Sequence, residues 1–258
     1  MALKVFITGA TSGFGKAMAI KYASQGFDLI ITGRRKDRLA ELQRELSGKY
    51  NTAVLPLCFD VQNRQEVFDQ IATLKDDWQE VDILINNAGL AAGRDYFDEA
   101  SLDDWETMID TNIKGVLYVT KALLPAMIER FKKKGTGAHI INLGSTAGKE
   151  VYEKGNVYCA TKFSVNAISQ SMRIDLLRYK IKVTAIHPGA AETEFSIVRF
   201  KGNKEQAAKV YEGYKALSAE DVADVCFYCS SLPAHVCIND LVLTSTAQAN
   251  SFYLHKDF

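Results

Sequence analysis

Leu3-Lys4-Val5-Phe6-Ile7-Thr8-Gly9-Ala10-Thr11-Ser12-Gly13-Phe14-Gly15, continued by Lys16 to Ala23 (KAMAIKYA), is the stretch that decides the fold. Leu3 to Thr8 is a short run rich in β-forming residues. It opens into Gly9, Gly13 and Gly15, after which Ala17, Ala19, Ile20 and Ala23 fall at helical spacing. Strand, glycine turn, helix is the order that aims helix N-terminal amides at a phosphate. The spacing is G-x-x-x-G-x-G, which departs from the dinucleotide fingerprint G-x-G-x-x-G. Taken alone the cluster reads equally well as a tight turn, and its place directly after the first strand is what favours a phosphate loop.

Working outward, Asp28 to Thr32 (DLIIT) reads as a second buried strand ending in Gly33-Arg34-Arg35. An acidic residue there would hold a ribose 2′-hydroxyl, whereas arginine suits a 2′-phosphate, so the charge points to NADP(H) over NAD(H). The competing reading is two solvated arginines opening the helix Asp37 to Leu46. Ala53 to Phe59 is a third strand with Asp60-Val61 at its end, and Asn63 to Leu74 is an amphipathic helix. Val81 to Ile85 is a fourth strand, closing on Asn86-Asn87-Ala88-Gly89. Asp60 would suit the adenine amino group, and the Asn86 to Gly89 turn would lie along the cofactor. Strand ends that collect polar and glycine residues are where open α/β sheets bind ligands.

Ser101 to Asp104 has the form of a helix start, with a helix expected to run to about Phe131. Asn112 falls inside it among Ile109, Ile113 and Val116, and is either a satisfied polar core residue or a site residue. His139 to Leu143 is a further strand, followed by Gly144-Ser145. Tyr158 and Lys162 then stand four residues apart at the start of a helix, so phenol and ammonium share one face. A hydroxyl at a strand end with such a pair makes a proton-transfer site for a carbonyl or alcohol. Lys182 to Ile186 forms another strand, ending in His187-Pro188-Gly189; His187 there reads as structural. Residues 190–215 read as a polar, mobile flap carrying Arg199 and Lys201, before a helix from Ala219 to Ser230 and a last strand at Leu241 to Thr244. Strands and helices alternating throughout, with no linker or repeat, predict one domain over residues 1–258, a doubly wound α/β parallel sheet with helices on both faces.

Of the 258 residues 47% are hydrophobic, and 31 basic balance 31 acidic side chains, so no global field recruits nucleic acid or an anionic membrane. The opening residues lack a signal-peptide core, and no apolar run approaches membrane-spanning length. Five cysteines, an odd number mostly within apolar patterns, suit free thiols in a cytoplasmic protein. Cys226 and Cys229 could suggest zinc with His235 and Cys237. They share the i, i+3, i+4, i+7 stripe of Val222 and Val225, however, which reads as a buried helix face, and no metal is expected.

Over nearly its full length the chain resembles the short-chain dehydrogenase/reductase family. The matching pieces are Thr8 to Gly15, Asn86 to Gly89, Asn112, Ser145, Tyr158-Cys159-Ala160-Thr161-Lys162 and Pro188-Gly189 followed by Thr193. The family also uses the glycine spacing noted above. The segments Asp104 to Asn112, Gly144 to Gly148, Thr193 to Gly202 and Leu232 to Val236 are similar to the NADP-dependent 3-hydroxy acid (serine and allo-threonine) dehydrogenases. Lys149 to Lys154 (KEVYEK) departs from that subfamily on the substrate side.

The resemblance implies a Rossmann-type sheet of about seven strands, a homotetramer, and a small hydroxy acid or its matching carbonyl compound as substrate. In its terms Tyr158 is general base or acid, Ser145 hydrogen-bonds the reacting oxygen, Lys162 holds the nicotinamide ribose, and Asn112 supports a proton-relay water. Gly13, Phe14 and Gly15 would hold the pyrophosphate, Arg34 and Arg35 the 2′-phosphate and Asp60 the adenine, with Gly9, Thr11, Ser12 and Val61 also against the cofactor. Asn87, Ala88, Gly89, Pro188, Gly189 and Thr193 would line the rest of the cofactor. Arg199 and Lys201 are candidates for the substrate carboxylate. Lys162 is expected to lower the Tyr158 pKa by its charge. The alternatives are a reductase of another carbonyl compound (sugar, steroid, 3-oxoacyl thioester) and a non-catalytic NADP-binding scaffold.

Overall fold

In the computed structural model, which describes residues 2–257, β1 (Lys4–Ile7), β2 (Asp28–Gly33), β3 (Val54–Cys58), β4 (Ile83–Asn86), β5 (His139–Leu143), β6 (Lys182–Pro188) and β7 (Asp240–Leu243) form one sheet. Met1 and Phe258 lie outside the described residues. The strand order is β3-β2-β1-β4-β5-β6-β7, with every pair parallel. Sequence order reverses between β1 and β4, so the crevice beyond their carboxyl ends is the place where a doubly wound sheet receives a ligand.

Strand alternation divides the core. Val5, Ile7, Leu29 and Ile31 face α1 (Gly13–Ser24), α2 (Lys36–Tyr50) and the helix at Ala219–Ser231. Phe6, Ile30, Leu84, Ile140 and Val183 face the opposite layer, which includes α3 (Arg64–Ala72). Period-two burial on both sides explains why these strands are apolar throughout rather than alternating with polar residues. Cys226 and Cys229 lie on the buried face of the Ala219–Ser231 helix, with Cys226 Sγ 3.8 Å from Tyr22 Oη.

Two expectations change. The helix expected from Ser101 to about Phe131 is α4 (Leu102–Ile109), a π turn at Asp110–Lys114, and α5 (Gly115–Lys134). Asn112 sits inside that π turn and is buried. The segment expected as a polar flap folds into α7 (Glu194–Arg199) and α8 (Lys204–Lys209), following α6 (Asn156–Asp175) and preceding α9 (Ala219–Ser231). Thr193 caps α7, its hydroxyl accepting from the Phe195 amide, and Asn203 caps α8 in the same way through Gln206.

Candidate active site

A cleft of about 460 Å³ lies at the switch point, beyond the carboxyl ends of β1, β2, β4, β5 and β6. The glycine turn after β1 contributes Gly9, Thr11, Ser12, Gly13 and Phe14, and the end of β2 contributes Arg34 and Arg35. Asp60, Val61, Asn87, Ala88 and Gly89 line its middle. Ser145, Tyr158, Lys162, Pro188, Gly189, Thr193 and Arg199 complete it. Gly15, Asn112 and Lys201 do not line it.

Gly15 supports the cleft from behind. A Cβ there would lie 2.2 Å from the Gly9 carbonyl oxygen and 2.6 Å from Asn87 Nδ2, so only glycine lets α1 close on the turn. Gly9 (φ +67°) and Gly13 (φ +50°) take the left-handed conformation that glycine adopts without strain. The two ligand turns are tied to each other. Thr8 Oγ1 accepts from the amides of Asn87 and Ala88, both at 2.9 Å, and Asn87 Nδ2 donates to the Thr8 carbonyl at 2.8 Å. The first turn of α1 has no acidic residue, and the Ser12 side chain accepts no capping bond, which leaves these amides suited to an anion. Arg34 and Arg35 bring positive charge to the same end of the cleft. These features fit a phosphorylated dinucleotide.

The candidate reacting centre is built on β5 and α6. Ser145 follows β5, and its Oγ accepts from the Ala147 amide at 3.1 Å. Gly144 packs on the ring of His187, where a Cβ would fall 2.3 Å from Nδ1. That ring is fully buried, and its Nδ1 lies 3.2 Å from the Ser145 carbonyl; it braces the serine turn from behind and does not line the cleft. One turn apart on α6, Tyr158 and Lys162 are both buried. Burial pushes the Tyr158 phenol above the ordinary tyrosine value, opposed by a hydrogen bond from Ser145 and by the Arg199 charge. The depression expected from Lys162 is not found; the Lys162 ammonium donates to the Leu143 carbonyl at 2.9 Å, and burial lowers its own pKa to about 8.

Asn112 stands just behind this centre. Its Oδ1 accepts from the Leu90 amide at 2.9 Å, while Nδ2 donates to the Leu90 carbonyl at 2.8 Å and to Thr161 Oγ1 at 3.0 Å. The Asn112 carboxamide thus locks the loop after β4 to α6. A Cβ on Gly89 would lie 3.2 Å from Asn112 Oδ1 and 3.5 Å from Lys162 Nζ, so that glycine spaces the two groups. The π turn is what carries Asn112 to this point, a common use of such turns.

Beside this centre, Arg199 ends α7 with its guanidinium carbon 5.5 Å from the Tyr158 ring centroid and 5.6 Å from that of Tyr152. Nη1 donates to Tyr152 Oη at 3.0 Å. Burial holds the Tyr152 phenol above its ordinary pKa despite the Arg199 charge, so it stays neutral. Lys201 is a correction. Its backbone is left-handed (φ +51°), and its ammonium pairs with Asp104 at 2.8 Å, outside the cleft. Arg94, which sequence reasoning passed over, lines the cleft instead and has no ion-pair or hydrogen-bond partner among the described residues. The signal for it was slight: a lone charge after Gly93, beyond the Asn86 to Gly89 turn. Tyr152 lies in the divergent segment Lys149 to Lys154.

An all-parallel doubly wound sheet, with a glycine phosphate turn and a Ser/Tyr/Lys centre in one cleft, defines a dinucleotide-dependent oxidoreductase. Residues 3–204 match the family model described as short chain dehydrogenase, and the chain belongs to that family, as an enzyme acting on hydroxyl groups. It is 47% identical over 246 residues to the NADP-dependent 3-hydroxy acid dehydrogenase YdfG of Escherichia coli (strain K12), covering 95% of this chain and 96% of the relative. It is 45% identical over 256 residues to sulfoacetaldehyde reductase 2 of Chromohalobacter salexigens, covering 98% of each. The closed form of a serine dehydrogenase complexed with NADP+ superposes with a TM-score of 0.90 at 45% identity, covering 99% of this chain and all of that one. Among the described residues no helix is long and apolar enough to cross a membrane.

Proposed function

We propose that this chain is an NADP(H)-dependent oxidoreductase of small 3-hydroxy acids such as serine, allo-threonine or 3-hydroxypropionate, or of the matching carbonyl compounds. Arg199 carries this reading: a guanidinium packed 5.5 Å from the centroid of the proton-transfer tyrosine ring. In a 3-hydroxy acid the carboxylate is two bonds beyond the carbinol carbon. A substrate whose oxygen lies between Ser145 and Tyr158 therefore extends its anionic end toward Arg199, whose planar fork matches a carboxylate. The names of the similar proteins support both the cofactor and the substrate class.

In the bound state the amides of Gly13 and Phe14 would hold the pyrophosphate, Arg34 and Arg35 the 2′-phosphate, Asp60 the adenine and Thr193 the carboxamide. Lys162 would hold the nicotinamide ribose. The cofactor supplies or accepts the hydride. Tyr158 Oη gives its proton to the substrate oxygen in reduction and takes it back in oxidation. Ser145 Oγ donates a hydrogen bond to that same oxygen. Burial keeps the phenol protonated, which favours the acid role, and positive charge beside it is what makes the base role accessible. Behind Lys162, Asn112 supports the path by which the proton reaches solvent.

Arg94 favours a second reading. A second guanidinium in the cleft suits a sulfonated aldehyde, in which a sulfonate replaces the carboxylate at the same distance from the reacting carbon. We also carry a cytoplasmic homotetramer as part of this proposal. Exposed Leu102, Phe163, Ile174 and Leu177 on or beside α4 and α6 support a subunit contact.

The test is a steady-state panel with NADP and NAD: L-serine, L-allo-threonine, 3-hydroxypropionate, 2-hydroxyethanesulfonate and neutral 1-propanol. Arg199→Ala is expected to raise KM for the acids about tenfold, the size of one charge-assisted contact, while KM for the neutral alcohol stays unmoved; any fall in kcat from losing the charge beside Tyr158 is common to both. An equal rise in KM for acids and alcohol would remove Arg199 from substrate recognition, and a wild type that prefers NAD would defeat the cofactor assignment.

A further inference from the structure

Arg35 has every part of its fork engaged by the protein. Nε and Nη2 donate to Thr11 Oγ1 at 3.1 and 2.8 Å, Nη2 also donates to Ser12 Oγ at 2.8 Å, and Nη1 donates to Glu194 Oε2 at 3.2 Å. Arg38, in the first turn of α2, donates Nη1 to both oxygens of the same carboxylate at 2.9 and 3.1 Å. One carboxylate therefore bridges two guanidiniums at the end of the cleft suited to the 2′-phosphate. Burial pushes the Glu194 carboxyl up, but Arg35 and Arg38 outweigh this and hold it below the ordinary range, so it is an anion at neutral pH.

Glu194 comes from far along the chain. It is the first residue of α7, and Arg199 is the last. A six-residue helix of about 9 Å thus has one end on the cofactor arginines and the other on the substrate-side guanidinium. Arg199 is also tied to the loop after β4, its carbonyl accepting from the Gly93 amide at 3.0 Å.

We infer that Glu194 is an internal competitor for the cofactor's 2′-phosphate, whose arrival displaces the carboxylate from Arg35 and Arg38 and frees α7 to reposition Arg199 over the substrate. The inference rests on the NADP(H) reading. A phosphate monoester carries more charge than a carboxylate and more acceptor oxygens, so it takes the guanidiniums. Two anions cannot share the fork without repulsion, so the carboxylate leaves as the phosphate enters. Because affinity at one end is coupled to freedom at the other, each ligand alters binding of its counterpart by the same factor. NAD(H), lacking the 2′-phosphate, leaves the Glu194 contact closed.

Glu194→Gln keeps the shape and removes the competing charge. Fluorescence titration is expected to show NADPH binding tightened about fivefold, the order of one partly exposed ion pair, with NADH binding unmoved. In hydrogen exchange on the wild type, adenosine 2′,5′-bisphosphate should raise exchange across 194–209, while 5′-AMP should not. In Glu194→Gln, exchange there should already be high, and the bisphosphate should add nothing. Unchanged or weaker NADPH binding in the variant overturns the inference, as does an equal shift for both cofactors or a bisphosphate that leaves exchange unaltered. NADH bound more tightly than NADPH by the wild type overturns the cofactor reading itself, and is read without any variant.

Discussion

The two halves of the cleft are built by different means. The cofactor half is made mainly of backbone: turns after β1 and β4 held by Gly9, Gly13, Gly15 and the Thr8–Asn87 bonds. The half proposed for the substrate is made of side chains, Arg94, Tyr152 and Arg199, brought together from three distant parts of the chain. Backbone shape is dictated by which residues are absent, so it tolerates little change. Side-chain convergence can be altered one residue at a time, which suits the role proposed for that half.

The largest effect is expected where the halves meet. Tyr158→Phe should lower kcat by about 10² to 10⁴-fold, the usual range for a proton-transfer group, while NADPH binding by fluorescence is retained. Undiminished turnover would take Tyr158 out of the chemistry. Gly15→Ala probes the backbone half: its methyl group would fall 2.2 Å from the Gly9 carbonyl oxygen. Urea unfolding should register a loss of about 1–3 kcal/mol together with weaker NADPH binding, and a variant of full stability would mean that the turn yields.

Lys162 offers a test by pH. Its folded pKa, lowered to about 8 by burial, lies below the ordinary lysine value. Below pH 8 both folded and unfolded chains hold the proton, and this group adds no slope. Between pH 8 and 10.5 the folded chain has released a proton that the unfolded chain keeps, so stability from this group rises with pH. Comparing urea midpoints at pH 7.5 and 9.5, the wild type should gain on the order of 1–2 kcal/mol relative to Lys162→Met; parallel curves would contradict the burial argument. The smallest effect belongs to the side-chain half. Tyr152→Phe removes the 3.0 Å bond that helps hold Arg199 in place and should raise KM for the acids about fivefold, the size of one ordinary hydrogen bond, with kcat little changed. A fall in kcat at constant KM would instead place Tyr152 in the proton path.

This division also explains what could be read in advance. The parallel sheet, the glycine turn and the Ser145, Tyr158 and Lys162 positions rest on local rules: strand composition, glycine's conformational range and helical spacing. The same rules misplaced Lys201. It stands only two residues past Arg199, but α7 has ended and a left-handed residue turns its side chain out to Asp104. Tyr152 lay in a segment whose divergence was visible, yet its partner could not be named because that partner is 47 positions away. Arg94 gave still less, since nothing local distinguishes a charge at a cleft mouth from one on the surface. The effect expected of Lys162 on Tyr158 failed for a related reason: spacing gives a shared face, not where an ammonium points.

The π turn at Asp110–Lys114 has a consequence for the whole α4–α5 rod. It holds one residue more than an α-helical path between the same points, and each residue rotates the helix by about 100°. Upstream and downstream stretches are therefore out of phase. Val119, Leu123 and Met127 meet the sheet only because that extra residue is present. Deleting one residue from this turn would do more than displace Asn112. It would rotate the inward stripe of α5 away from the sheet, so a catalytic detail and the register of a core helix are fixed by the same single insertion.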